Sequence, residues 1–132
     1  LYVKMRHKYN KLLQVNTGAK SKSVFMRMQL SSLLRAGKLT TTPKRAKVLK
    51  MYTDEFFSTL LNISAKYEEK DATREAIRFV KSVVFGEAEG KKVIETLLPK
   101  YKEENRKSGF TTEFKLGYRV GDASQKIMLK LA

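Results

Sequence analysis

The sequence predicts an α+β domain with elements in the order α-β-α-α-α-β-β, its helices packed on one side of a small sheet that closes with a C-terminal β-hairpin. Three observations carry this fold class. Between Ser21 and Leu98 most apolar residues recur at spacings of three and four, the repeat of helices with one buried stripe. Past Phe110 the repeat switches to two, the period of a strand. Residues 1–20 instead scatter Gly, Asn, Gln and Lys among few apolar side chains, which reads as an extended basic arm ahead of a single unit over 21–132.

In the first helix, about Ser21 to Arg35, the stripe is Phe25, Met28, Ser32 and Leu33, and Gly37 supplies the stop. "KLTTT" (38–42) has the composition of a short strand. Thr42-Pro43 then reads as an N-cap followed by proline at the first helical position. Leu49, Tyr52, Phe56, Leu60 and Ile63 carry that helix to about Ala65. "YEEKD" (67–71) is a polar link whose Asp71 caps a third helix through Ala72, Ala76, Phe79 and Val83, stopped by Gly86. A fourth runs from Glu87 through Val93, Ile94, Leu97 and Leu98 to a kink or end at Pro99. In the hairpin, Phe110, Thr112, Phe114, Leu116 and Tyr118 form the expected inward face of one strand, and Ile127, Leu129 and Leu131 that of the other. "VGDAS" between them supplies the turn.

Charge bounds the function. The net charge is +15, which repels itself in a compact chain and calls for a large acidic partner, nucleic acid first and an anionic membrane surface second. Its distribution is uneven. Residues 1–50 hold 13 Lys or Arg and no acid, residues 51–105 hold 9 basic and 11 acidic, and residues 106–132 hold 6 basic and 2 acidic. Both ends are therefore basic around a near-neutral scaffold. With no cysteine the chain has no disulfide, zinc ribbon or thiol nucleophile, and no apolar run is long enough to span a membrane.

The best physical candidate for a ligand site is "TTTPKRAK" (40–47). A helix start presents free N–H groups and the positive end of its dipole, so Lys44 and Arg45 are misplaced there unless an anion joins them. A phosphate clamped by Thr42, Lys44, Arg45 and Lys47 is preferred to a tolerated mismatch, because no acid lies in the first 50 residues. Lys20, Lys22, Arg27 and Arg35 read together as phosphate contacts rather than internal salt-bridge partners. Tyr2 and Tyr9 either stack on unpaired bases or pack back on the domain. His7 stands alone between Arg6 and Lys8, without an orienting carboxylate or a second metal ligand, so it belongs to the arm and not to a catalytic site. The acids of 68–71 and 103–104 form no partnered cluster, and "GEAEGKK" (86–92) lacks the spacing and the preceding strand of a phosphate loop. No catalytic constellation and no cofactor site emerges.

Four stretches together resemble one family. They are "MRHK" (5–8), "FMRMQLSSLLRAGKLTTTPKRAK" (25–47), "LLPKYKEE" (97–104) and "SGFTTEFKLGYRVGDASQKIMLKL" (108–131). Taken as a set they are similar to the bacterial-type large-subunit ribosomal protein seventeen family. The resemblance implies a non-enzymatic constituent of the large ribosomal subunit that binds large-subunit rRNA near the polypeptide exit side, beside other large-subunit proteins, with no small-molecule substrate. By position it implies RNA contacts at Arg6, His7 and Lys8, with Lys11 in the same arm, at Arg27, Arg35 and Lys47, and at Lys115 and Arg119 of the hairpin. The family's arginine is absent where this chain has Thr112, and Pro43 sits one place earlier than the family's common proline. Aligning Met5 with the family's amino terminus predicts that Leu1 to Lys4 remain from a trimmed extension, hence a mitochondrial ribosome, with plastid or bacterial cytoplasm as alternatives. The competing function is a basic nucleic-acid-binding module acting outside the ribosome, as a nucleoid or regulatory factor.

Overall fold

The structure, a computed structural model, describes Gly18 and residues 20–132. The arm expected over residues 1–20, including Arg6, His7, Lys8 and Lys11, lies outside the described residues except for Gly18 and Lys20.

Helix α1 (Lys22–Ala36) ends on Gly37, whose φ of 77° lets its N–H return to the Leu33 carbonyl at 2.8 Å. Strand β1 (Lys38–Thr41) leads through Thr42 and Pro43 into α2 (Pro43–Lys66). Helix α3 (Glu69–Val83) starts earlier than expected. Glu68 takes the cap position, and Asp71 falls inside the first turn, where its charge meets the positive end of the helix dipole. Gly86 does not stop this helix, which ends at Val83; with φ 99° it opens α4 (Glu87–Lys92) instead.

The fourth helical run passes Pro99 rather than ending there. A π-helical turn (Val93–Leu97) joins α4 to α5 (Leu98–Glu103), and the Leu98 N–H reaches five residues back to the Val93 carbonyl. Proline lacks an N–H and crowds the carbonyl four residues before it. The wider π turn gives that ring room, so the helix continues to Glu103.

Strands β2 (Thr111–Tyr118) and β3 (Gln125–Leu131) form the hairpin, and the sheet is antiparallel in the order β1-β3-β2. Leu129 lies opposite both Leu39 and Glu113, and Met128 opposite both Thr40 and Phe114. Ile127 and Leu129 are buried against the helices, as the alternation of β3 predicts. For β2 the expected face is inverted. Partners directly opposite in an antiparallel ladder share a face, so the register puts Phe114 with Met128 on the outer side and Thr111 with Leu131 on the inner side. Phe114, Leu116 and Tyr118 are exposed, and only Phe110, just ahead of the strand, enters the core. A bulge between Lys115 and Gly117 further breaks the alternation.

The core lies between the sheet and α1, α2 and the α4–α5 run, with α3 covering α2. Along α2, Leu49, Phe56 and Leu60 are buried as predicted, with Phe57 beside them. Along α1 the buried residues are Met26, Leu30, Ser31, Leu33 and Leu34, while Met28 and Ser32 are exposed. The predicted stripe shared only Leu33 with this set, because α1 is covered on two flanks, by α2 and by the start of α4.

Two ties fix α1 against the second half of the chain. Ser31 Oγ donates to the Arg27 carbonyl and accepts the Phe85 N–H at 2.9 Å. Arg35 Nε donates to Glu89 Oε1 at 2.5 Å. The Arg35 hydrogen bond, with the backbone N–H of Glu89 itself, holds the Glu89 carboxyl below the usual glutamate range. Gly86 makes this possible, since a Cβ there would overlap the Glu89 carboxylate.

Three outcomes test this packing. Phe57→Ala removes a fully buried ring and should lower unfolding free energy by about 3–5 kcal/mol in urea melts. Ala123 holds φ 56° in the hairpin turn, so Ala123→Gly should raise stability by about 1 kcal/mol in the same assay. Glu89 has a folded pKa below its unfolded one, so its contribution is present above the unfolded value near about 4.3 and fades as pH falls through the folded value. Wild type should exceed Glu89→Gln in stability at neutral pH and converge with it in acid. Parallel stability-versus-pH curves for the two proteins would refute that linkage.

Candidate nucleic-acid interface

The start of α2 is built as the sequence predicts in position, though not in every bond. Thr42 occupies the N-cap with extended φ/ψ, but its hydroxyl makes no capping hydrogen bond. Pro43 has no N–H to offer and the first turn holds no acid, so the Lys44 and Arg45 amides face an end without a capping side chain. Lys44, Arg45 and Lys47 are exposed. The Arg45 guanidinium lies 5.1 Å from the centroid of Phe25, which brings the first turns of α1 and α2 together. Lys20 and Lys22 precede Phe25 on the same end, so the structure gathers Lys20, Lys22, Lys44 and Arg45 near the two helix starts.

Arg27 and Arg35 leave α1 in another direction. Arg27 Nε donates to the Val83 carbonyl at 2.9 Å, and its guanidinium sits 4.2 Å from the Phe85 ring centroid. Arg35 is paired with Glu89, yet its side chain remains 68% exposed. Both arginines therefore have internal partners, contrary to the expectation that α1's basic residues lack them. The partners lie more than 50 residues away in the chain, which no local reading of charge detects.

The hairpin residues separate as well. Lys115 stands opposite Ile127 and is exposed where β2 runs past the helices. Arg119 grips Asp122 with two donors, Nε to Oδ1 at 3.0 Å and a terminal nitrogen to Oδ2 at 2.5 Å. That grip, with the Ser124 N–H, holds the Asp122 carboxyl far below the usual carboxylate range and rigidifies the turn. Thr112 has a lysine as its direct partner in register on the next strand, Lys130.

Sequence reasoning passed over that lysine and two others. Lys38 and Lys130 face each other across β1 and β3, and Lys126 follows on the same outer side. Like charges placed directly opposite destabilise a ladder, and among the described residues none of the three has an ion pair or side-chain hydrogen bond. The signal was present in "QKIMLKL", whose lysines alternate with the core residues. Among the described residues, no three His, Cys, Asp or Glu side chains gather into a group that could hold a metal, and no helix is long and apolar enough to cross a membrane.

The arrangement is a cationic surface with exposed aromatics, suited to phosphate chains and to bases. Comparison with known proteins gives the family. The family model for ribosomal protein L17 matches residues 25–132. Large ribosomal subunit protein bL17 of Clostridium tetani is 32% identical over 106 residues, 80% of this chain and 84% of that protein. The bL17 of Halothermothrix orenii is 32% identical over 117 residues, covering 87% and 90%. That of Nautilia profundicola is 30% identical over 132 residues, covering 96% and 97%. With a model match over most of its length and relatives of this identity along nearly their whole chains, the protein belongs to the ribosomal protein L17 family.

Proposed function

We propose that this protein is a structural, non-catalytic constituent of the large subunit of a bacterial-type ribosome, where it binds and stabilises large-subunit rRNA near the polypeptide exit side. The observation that carries the reading is the charge distribution on a chain of this family: 13 basic residues and no acid in the first 50 positions. Lys44, Arg45 and Lys47 at the α2 start, joined by Thr42, Lys20 and Lys22, clamp phosphates; the arm residues Arg6, His7, Lys8 and Lys11 extend that grip. Arg27, Arg35, Lys115 and Arg119 add contacts from the exposed parts of their side chains. Such contacts position the protein on folded RNA without reading base sequence. Residues 21–132 act as one rRNA-binding unit, and neighbouring large-subunit proteins complete the surroundings. Its home is a mitochondrial ribosome, with plastid and bacterial ribosomes as the alternatives that cell fractionation separates.

Binding by many phosphate contacts releases counterions, so affinity for large-subunit rRNA fragments should fall steeply with salt. The double variant Lys44→Gln, Arg45→Gln should reduce the slope of log affinity against log salt by about 2. Affinity independent of salt would overturn the mechanism. The protein should also co-sediment stoichiometrically with salt-washed large subunits; free sedimentation with RNA binding intact would assign it to an extraribosomal nucleic-acid-binding role.

A further inference from the structure

We infer that the outer face of the sheet is a platform for unpaired RNA bases, with Phe114 and Met128 as the stacking surface and Lys38, Lys126 and Lys130 as its phosphate contacts. The register defines this face. One row across the three strands is Thr40, Met128 and Phe114, and the next is Lys38, Lys130 and Thr112. Beyond Phe114, Lys126 lies opposite Gly117, where a Cβ would meet nothing within 4 Å. Among the described residues no helix covers this side, since α1 and α2 pack on the side of Ile127 and Leu129. Phe114 is 43% exposed on this face.

Charge selects the occupant. None of the outer positions on β1, β2 or β3 in these rows is acidic, and Glu113 falls on the opposite side by its pairing with Leu129. An apolar protein surface would leave Lys38 and Lys130 facing each other across the ladder without an anion. A nucleotide strand supplies both partners at once, phosphates for the lysines and a base for the ring. A duplex keeps its bases stacked internally, so the face fits a single-stranded or bulged segment. The inference rests on the RNA-binding reading above and names the kind of RNA that one surface takes.

The test uses the full chain with two probes, a ten-nucleotide oligoadenosine and a perfectly paired RNA duplex, each titrated by fluorescence anisotropy. Phe114→Ala should weaken oligoadenosine about tenfold and leave its salt slope and duplex binding unchanged. Phe114→Tyr should restore it. Lys38→Gln with Lys130→Gln should instead lower the oligoadenosine salt slope by about 1.4. In a methyl-labelled sample, the Met128 resonance should move with oligoadenosine and stay still with duplex. Unchanged oligoadenosine affinity in Phe114→Ala, or a stationary Met128 methyl, sinks the platform. If the duplex still binds in that case, RNA binding stands and only the platform falls; if neither probe binds at low salt, the RNA-binding reading itself falls. A dimer in sedimentation that Phe114→Ala dissolves would assign the face to a second copy of the chain and overturn the inference.

Discussion

Phe57 meets Tyr101 edge-on at 5.0 Å between ring centroids and leans on Phe110 at 5.3 Å, and the entry of the hairpin into the sheet depends on this three-ring contact. It joins the middle of α2 to α5 and to the entry of β2, both far from α2 along the chain. Each such pair contributes about 0.5–1.5 kcal/mol beyond the burial of its rings. Polar bonds then set the exit directions. The Phe110 N–H donates to Asp54 Oδ1 on α2, and the Tyr101 hydroxyl donates to the Ala132 carbonyl at the end of β3. Burial pushes the Tyr101 hydroxyl's pKa up, so it stays a donor well above neutral pH. The hairpin is thereby held at its root while its tip projects past the helices.

The same geometry explains where the charge goes unanswered. Some acids of the middle helices find bases close by, as Asp71 with Arg74, Glu75 with Arg78 and Glu104 with Arg106. These exposed pairs add little stability, but they neutralise the scaffold. Glu89 is the exception, taken into the interior to secure α1 through Arg35. Among the described residues, Lys44 and Lys47 at the start of α2 and Lys38, Lys126 and Lys130 on the outer side of the sheet are cations with no acid paired to them. None of these acids neutralises the lysines at the start of α2 or on the outer side of the sheet.

Much of this was legible from local pattern. Gly37 and Thr42-Pro43 set the boundaries of α1 and α2 because a left-handed stop and a proline start are single-residue physics. The alternation of Ile127, Leu129 and Leu131 located the middle strand correctly because helices cover that face. Alternation along β2 was equally clear and led to the wrong side. Period two says that faces differ, and only the register against β3 says which one is covered. Met28 misled for a related reason: a helix flanked on two sides carries apolar residues around most of its circumference, so no single stripe stands out. The roles of Arg27 and Arg35 were illegible, since their partners Val83 and Glu89 are brought to them only by tertiary folding. At the α2 start the boundary was legible, though Thr42's hydroxyl does not cap the helix as its position promised.

The inverted face of β2 also joins the two basic regions. Strand β1 ends at Thr41, opposite Ile127, and the next residues are the α2 start with Lys44 and Arg45. Lys126 adjoins Ile127 on the outer side of the neighbouring strand, so the sheet's cationic face begins where the helix-start cluster ends. From there the outer side runs along β3 through Met128 to Lys130 and its partner Lys38. Had the apolar side of β2 faced inward, Phe114 would lie in the core and Glu113 would stand among those lysines, breaking the track with a carboxylate. The register that defeats the simplest reading of the hairpin is therefore what keeps an acid out of the cationic surface. It costs an exposed phenylalanine, which an RNA partner would cover.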